Sequence, residues 1–167
     1  MRKRGRPARP AQPSRLLSKL VVGVHADDQN PLPQRERDLL MGCMHSALES
    51  IARGQHPGED DWRHLSDAIN VVETLFLRGN LVRDEVHATW DAACYAMARA
   101  GERWHASQVM RMDGEGLRAV RECVGHYAQA MEGLPERDFL LAVYETRERL
   151  AAIAAGRVVS DREVVIV

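Results

Sequence analysis

The stretch Asp60–Gly79, DDWRHLSDAINVVETLFLRG, decides how the rest of the chain is read. Its apolar residues Trp62, Leu65, Ile69, Val72 and Phe76 recur at spacings of three and four, the period that lines one face of an α-helix. Asp60 or Asp61 supplies a side-chain cap at its start, and Gly79 supplies a stop. The acidic run Glu59, Asp60 and Asp61 stands where the positive end of a helix dipole favours carboxylates, so it needs no catalytic pair to explain it.

Outward from this helix the same period recurs. Upstream, Leu40, Met44, Ala47 and Ile51 share a stripe that predicts a helix from about Gln34 to Arg53, with Gly54 as its stop. Downstream, a third helix takes Asn80 as its cap, places Asp84 and Glu85 in its first turns, and carries Val86, Trp90, Ala93 and Met97 on one face. Gly101 either ends it or sits inside it while the pattern runs on through Trp104 to Met112, since an internal glycine costs only about 1 kcal/mol against alanine. A fourth helix begins after Asp113, with Leu117, Val120, Val124, Tyr127 and Met131 in phase and Gly133 as a stop. Pro135 suits the first turn of a fifth, which carries Phe139, Val143, Leu150 and Ile153 and ends at Gly156.

Short connections favour antiparallel neighbours, so the expected fold is all-α: an irregular antiparallel bundle of about five helices. Its domain spans residues 34–156, behind an arm and linker at 1–33 and ahead of a tail at 157–167. The chain has 167 residues, 45% of them hydrophobic, enough for one core. The tail differs in kind, because Val158, Val159, Val164, Val165, Ile166 and Val167 favour extended structure. Three fates are open to it: a hairpin, a strand paired with a second copy, or a segment laid over the bundle.

Charge divides the chain unevenly. Seven of the 23 basic residues and none of the 24 acidic ones fall within residues 1–20, which leaves 16 basic against 24 acidic, a net of −8, on the other 147. An anionic partner is therefore expected for the arm rather than for the body. Within the arm, Arg4, Gly5, Arg6 and Pro7, flanked by Arg2 and Lys3, resemble the AT-hook, a short peptide motif that lies in the minor groove of A·T-rich DNA. The residue types fit that chemistry: glycine lets the backbone approach the groove floor, and two arginines extend along a narrow, strongly negative groove. The flank after Pro7 departs from the usual form, with Ala8 where a basic residue is common and Arg9 one position later. The resemblance thus implies DNA contact by Arg2, Lys3, Arg4, Gly5, Arg6, Pro7, Arg9 and Arg15, and nothing about the body. The plainer reading of the arm, with Pro7, Pro10 and Pro13 among its arginines, is a solvated, disordered tail.

The body offers little that suggests a reaction. His45, His64, His87, His105 and His126 fall in different helical stretches without metal-ligand spacing, so no metal and no cofactor is expected. Cys94 beside Tyr95, and Cys123 three residues before His126, invite a nucleophile and base, but both cysteines lie beside apolar stripes and read as buried. Three unpatterned cysteines, no signal-peptide stretch and no membrane-length apolar run point to a reduced, cytoplasmic protein. Trp62, Trp90 and Trp104, with Met41, Met44, Met110 and Met112, read as core rather than as a cofactor pocket. No helix-turn-helix is expected, because the third helix opens on Asp84 and Glu85 instead of a basic recognition surface.

The stretch from Gly58 to Asn80 also resembles segments of small helical proteins carried by bacterial phages, prophages and plasmids, through its placement of tryptophan, aspartate and asparagine. That likeness implies an accessory role and no reaction. The expected function is a non-enzymatic, DNA-associated accessory or regulatory protein whose acidic body oligomerises, as a homodimer, or holds a protein partner. The competing expectation is a protein-binding module acting on a host protein, with an incidental basic tail.

Overall fold

The computed structural model describes residues 25–54 and 57–157. They form five packed helices and no strand: α1 (Gln34–Arg53), α2 (Glu59–Leu77), α3 (Arg83–Ser107), α4 (Gly114–Gly133) and α5 (Glu136–Ala154). The expected all-α bundle of five helices is therefore what the chain builds. Of the β-prone tail expected at 157–167, all but Arg157 lies outside the described residues.

α2 is the hub, in contact with all four other helices. The single apolar stripe expected for it understates its burial: from Leu65 to Phe76 every residue except Asp67 is buried. Ser66, Asn70, Glu73 and Thr74 are consequently carried inside, where a polar group without a partner costs several kcal/mol, of order 2–7 by transfer measures. α5 supplies partners for most of them. The Thr146 hydroxyl donates to the Ala142 carbonyl at 2.8 Å, which leaves Thr74 to donate to Thr146 at 2.6 Å. Arg149 donates to the Asn70 carbonyl at 3.3 Å and forms an ion pair with the largely buried Glu73 carboxylate. A buried pair of this kind fixes register more than it adds stability.

This polar seam explains a correction to the fifth helix. Its expected stripe of Phe139, Val143, Leu150 and Ile153 keeps only Phe139 fully buried, while Ala142 and Thr146 turn inward toward α2. Phe139 packs edge-on to Tyr127 of α4, with ring centroids 5.4 Å apart. α3 and α4 share the broadest interface. There Gly116 lies so close to α3 that a Cβ would come within 2.8 Å of the Ala96 methyl. Trp90 closes the opposite end, edge-on to Phe76 at 5.3 Å.

Helix ends follow local rules, with several departures from expectation. Gly54 and Gly79 stop α1 and α2 at φ +63° and +77°, the left-handed region that glycine enters without strain. Asn80 does not cap α3: its N–H closes the end of α2 on the Leu75 carbonyl at 2.9 Å, and α3 starts at Arg83. Neither Asp60 nor Asp61 caps α2, which begins at Glu59 with Gly58 at its cap; Asp61 instead accepts through its carboxylate from the Gly58 N–H at 2.9 Å. Gly101 stays inside α3, which ends at Ser107 because Gln108 adopts φ +57° and donates its N–H to the Trp104 carbonyl at 2.8 Å. Met110 then turns into the core, so the helix does not reach Met112. Asp113 caps α4, accepting from the Gly116 N–H at 2.7 Å.

The packed body also begins before Gln34. Leu32 is buried, and a turn at Asp27–Asn30 closes on the start of α5. The Glu136 and Arg137 N–H groups donate to the carbonyls of Asn30 and Asp27 at 2.8 and 2.9 Å, and the Asp27 N–H donates to the Glu136 carboxylate at 2.9 Å. Pro135 stands at the cap of α5 and offers it no side-chain hydrogen bond. The turn therefore satisfies donors that a helix start leaves open. Asp27 holds the turn by accepting from the Asn30 side chain and from the N–H groups of Gln29 and Asn30, which keeps its carboxyl below the usual range.

Ile69 has no exposed surface at the centre of α2. Ile69→Asp is expected to cost more than about 4 kcal/mol, a large share of the stability of a domain of this size, and to abolish cooperative thermal unfolding in circular dichroism. An unchanged melting curve would refute this central placement.

Candidate functional site

The sequence-derived nucleic-acid residues Arg2, Lys3, Arg4, Gly5, Arg6, Pro7, Arg9 and Arg15 lie outside the described residues. What the structure places is the chemistry of the body. Cys94 on α3 and Cys123 on α4 are free thiols buried in the core. Burial pushes both up to about 12, with the neighbouring Cys123 and Asp91 adding to Cys94 and Glu122 adding to Cys123. A thiol in that state is a poor nucleophile at neutral pH, because the reactive form is the thiolate. Cys43 on α1 is only half-buried and lines a shallow groove between α1 and α2 with Asp38, Asp60, Asp61 and His64.

The histidines stay apart. His45, His64 and His105 are exposed, whereas His87 leans against Phe76 and Trp90 with ring centroids 5.9 and 5.4 Å away. Among the described residues no three His, Cys, Asp or Glu side chains converge as a metal ion would require. No helix among them is long and apolar enough to cross a membrane.

One concavity joins aromatic and ionisable groups. It is a cleft of about 450 Å³ between α2, α3 and α5, lined by Trp62, Arg63, Asp67 and Asn70 of α2, Trp104 of α3 and Leu150 of α5. The three tryptophans therefore divide. Trp90 belongs to the core, while Trp62 and Trp104 are only partly buried and form cleft walls. This corrects the sequence-based expectation, which assigned all three to the core because helical spacing places a residue on a face without showing whether that face is covered. The Trp62 indole N–H donates to the Met97 carbonyl at 3.1 Å, within α3, and Gly101 lies alongside the ring. That bond fixes the indole against α3.

The cleft's charges are arranged unequally. Arg63 is committed to Glu59 one turn away, at 2.5 Å. Ser66 donates to the Arg63 carbonyl at 3.0 Å. Desolvation by the packed walls raises the Asp67 carboxyl above its ordinary range, and Arg147, His64 and Arg63 oppose this from longer range. Behind it the Tyr127 phenol is pushed up to about 12, first by burial and then by the Asp67 charge, with Arg147 opposing.

Two measurements test this electrostatic map. At neutral pH the native protein is expected to take up one equivalent of a thiol reagent, at Cys43, and three after denaturation; rapid native labelling of Cys94 or Cys123 by intact mass would contradict their burial. For Asp67 the folded state holds the proton more tightly than the unfolded chain. Stability is thus lost as pH rises from the ordinary carboxylate value through the raised one. Asp67→Asn is accordingly expected to melt above the parent protein at pH 7 and to lose that advantage near about pH 3, where the carboxyl is neutral in both states.

Comparison with protein-family models, with curated proteins and with solved structures finds no match to this chain, so its functional reading rests on its own residues.

Proposed function

We propose that the protein is a non-enzymatic, DNA-associated accessory protein in which the basic arm contacts nucleic acid and the acidic helical body holds a partner or a second copy. The observation that carries this reading is the division of charge: seven basic and no acidic residues in 1–20 against a net of −8 on the remainder. Such a body repels a phosphate backbone, so DNA affinity has to come from the arm. Arg4, Gly5, Arg6 and Pro7, with Arg2 and Lys3 before them, give that arm the residue types suited to a narrow minor groove, while Arg9 and Arg15 suit phosphates. Short contacts of this kind are weak and salt-sensitive, which favours a body that brings two arms or another DNA-bound protein together.

A second reading, a module that binds a host protein and carries the arm incidentally, is favoured by exposed apolar side chains at the α2–α3 turn. Leu77 and Val82 there are 59% and 60% exposed. Protein contacts draw on such side chains when they form a patch.

Gel shifts on A·T-rich and G·C-rich duplexes over a salt series distinguish the two. Replacing Arg4 and Arg6 with alanine is expected to abolish any A·T preference. Arg9→Ala or Arg15→Ala is expected to weaken binding to all sequences alike and to reduce the salt slope by about one per lost phosphate contact. Full affinity and full A·T preference in the double variant would overturn the DNA reading and leave the protein-binding module in its place.

A further inference from the structure

We propose that the cleft between α2, α3 and α5 binds a small organic cation with a flat apolar body, the charged group on the Asp67 carboxylate and the body against Trp62 and Trp104. None of its lining residues belongs to the α2–α3 turn. Its volume of about 450 Å³ lies in the range of small-molecule pockets, roughly 300–1,000 Å³.

Three observations specify the ligand class. First, the walls are aromatic and held in place: Trp62 is fixed by its bond to the Met97 carbonyl, Trp104 rises from the same stretch of α3, and Leu150 and the buried Met110 complete an apolar lining. Indole faces carry negative potential and attract organic cations. Second, the cleft's polar groups are for the most part already engaged. Arg63 pairs with Glu59, Ser66 bonds the Arg63 carbonyl, and the Asn70 carbonyl accepts from Arg149. Third, the ionisable exceptions are the exposed His105 and Asp67, and Asp67 is the acidic one. It lines the cleft, yet among the described residues it has no hydrogen bond and no ion pair, although its surroundings partly desolvate it. A carboxylate that is partly desolvated by its neighbours and has no partner gains from an incoming charged group. An anionic ligand would have to approach the carboxylates of Asp67 and Glu59, which selects against it.

Tryptophan fluorescence and calorimetric titrations of the full chain test this with four probes: tryptamine, phenyltrimethylammonium, indole-3-acetate and indole. The two cations are expected to bind at least about tenfold more tightly than the carboxylate and the neutral ring, the scale of one charge-assisted contact. Asp67→Asn, which removes a charge whose burial is unfavourable and so folds, is expected to lose that preference while retaining whatever weak affinity indole has. Leu150→Trp, which fills the cleft from α5, is expected to abolish binding of all four with an unchanged circular dichroism spectrum. Equal or tighter binding of indole-3-acetate, no saturable binding of either cation at millimolar concentration, or full cation preference in Asp67→Asn would each overturn the proposal.

Discussion

A helix buried on almost every side cannot carry a polar residue without a dedicated partner, and α2 carries four. From Leu65 to Phe76 it passes through the centre of the bundle with only Asp67 outside. That constraint sets where the other helices lie. α5 does not simply cover an apolar face; it is placed by the Thr74–Thr146 hydroxyl pair, by Arg149 on the Asn70 carbonyl, and by the Glu73–Arg149 ion pair. Hydrophobic contact alone would tolerate α5 at several rotations, whereas these directional bonds admit one. Fixing α5 in turn brings Leu150 to the edge of the cleft opposite Trp62 and Trp104. The cleft is thus a by-product of satisfying the core's polar groups.

Much of this was legible in the sequence. Spacing of three and four located all five helices, and Gly54, Gly79 and Asp113 marked ends where the backbone requires a left-handed residue or a side-chain acceptor. Periodicity failed where burial was not one-sided. In α2 it reported one stripe of a helix that is buried nearly all round, and in α5 it chose Val143 and Leu150 over Ala142 and Thr146, whose inward turn depends on partners seventy residues away. Asn80 misled because its side chain resembles a cap while its N–H is needed by the preceding helix. The apolar pattern allowed α3 to run on past Gly101, but no sequence window showed that the Met97 carbonyl would meet the Trp62 indole, so the cleft was invisible and its tryptophans read as core. The unpartnered state of Asp67 is likewise a property of three converging helices, not of any sequence window.

The functional reading divides in the same way. DNA contact rests on residue types and charge within 1–20, which the sequence shows directly. The proposed contribution of the body rests on three-dimensional features: inert buried thiols, a half-buried Cys43, exposed apolar side chains at one turn, and a cleft lined by an unpartnered carboxylate. Burial keeps the Cys94 and Cys123 thiols protonated, which removes both as nucleophiles at neutral pH.

The turn at Asp27–Asn30 has a consequence for biosynthesis. Its backbone bonds from Glu136 to Asn30 and from Arg137 to Asp27 join positions 106 and 110 residues apart, so a segment that leaves the ribosome before α1 is among the last to find its partners. Synthesis proceeds at about 5–20 residues per second, which leaves α1 through α4 without this closure for several seconds or more. During that interval α2 also lacks the hydroxyl and guanidinium that α5 will bring to its polar side chains. The nascent body therefore has every reason to stay open until α5 emerges, and then to close from both ends of the chain at once.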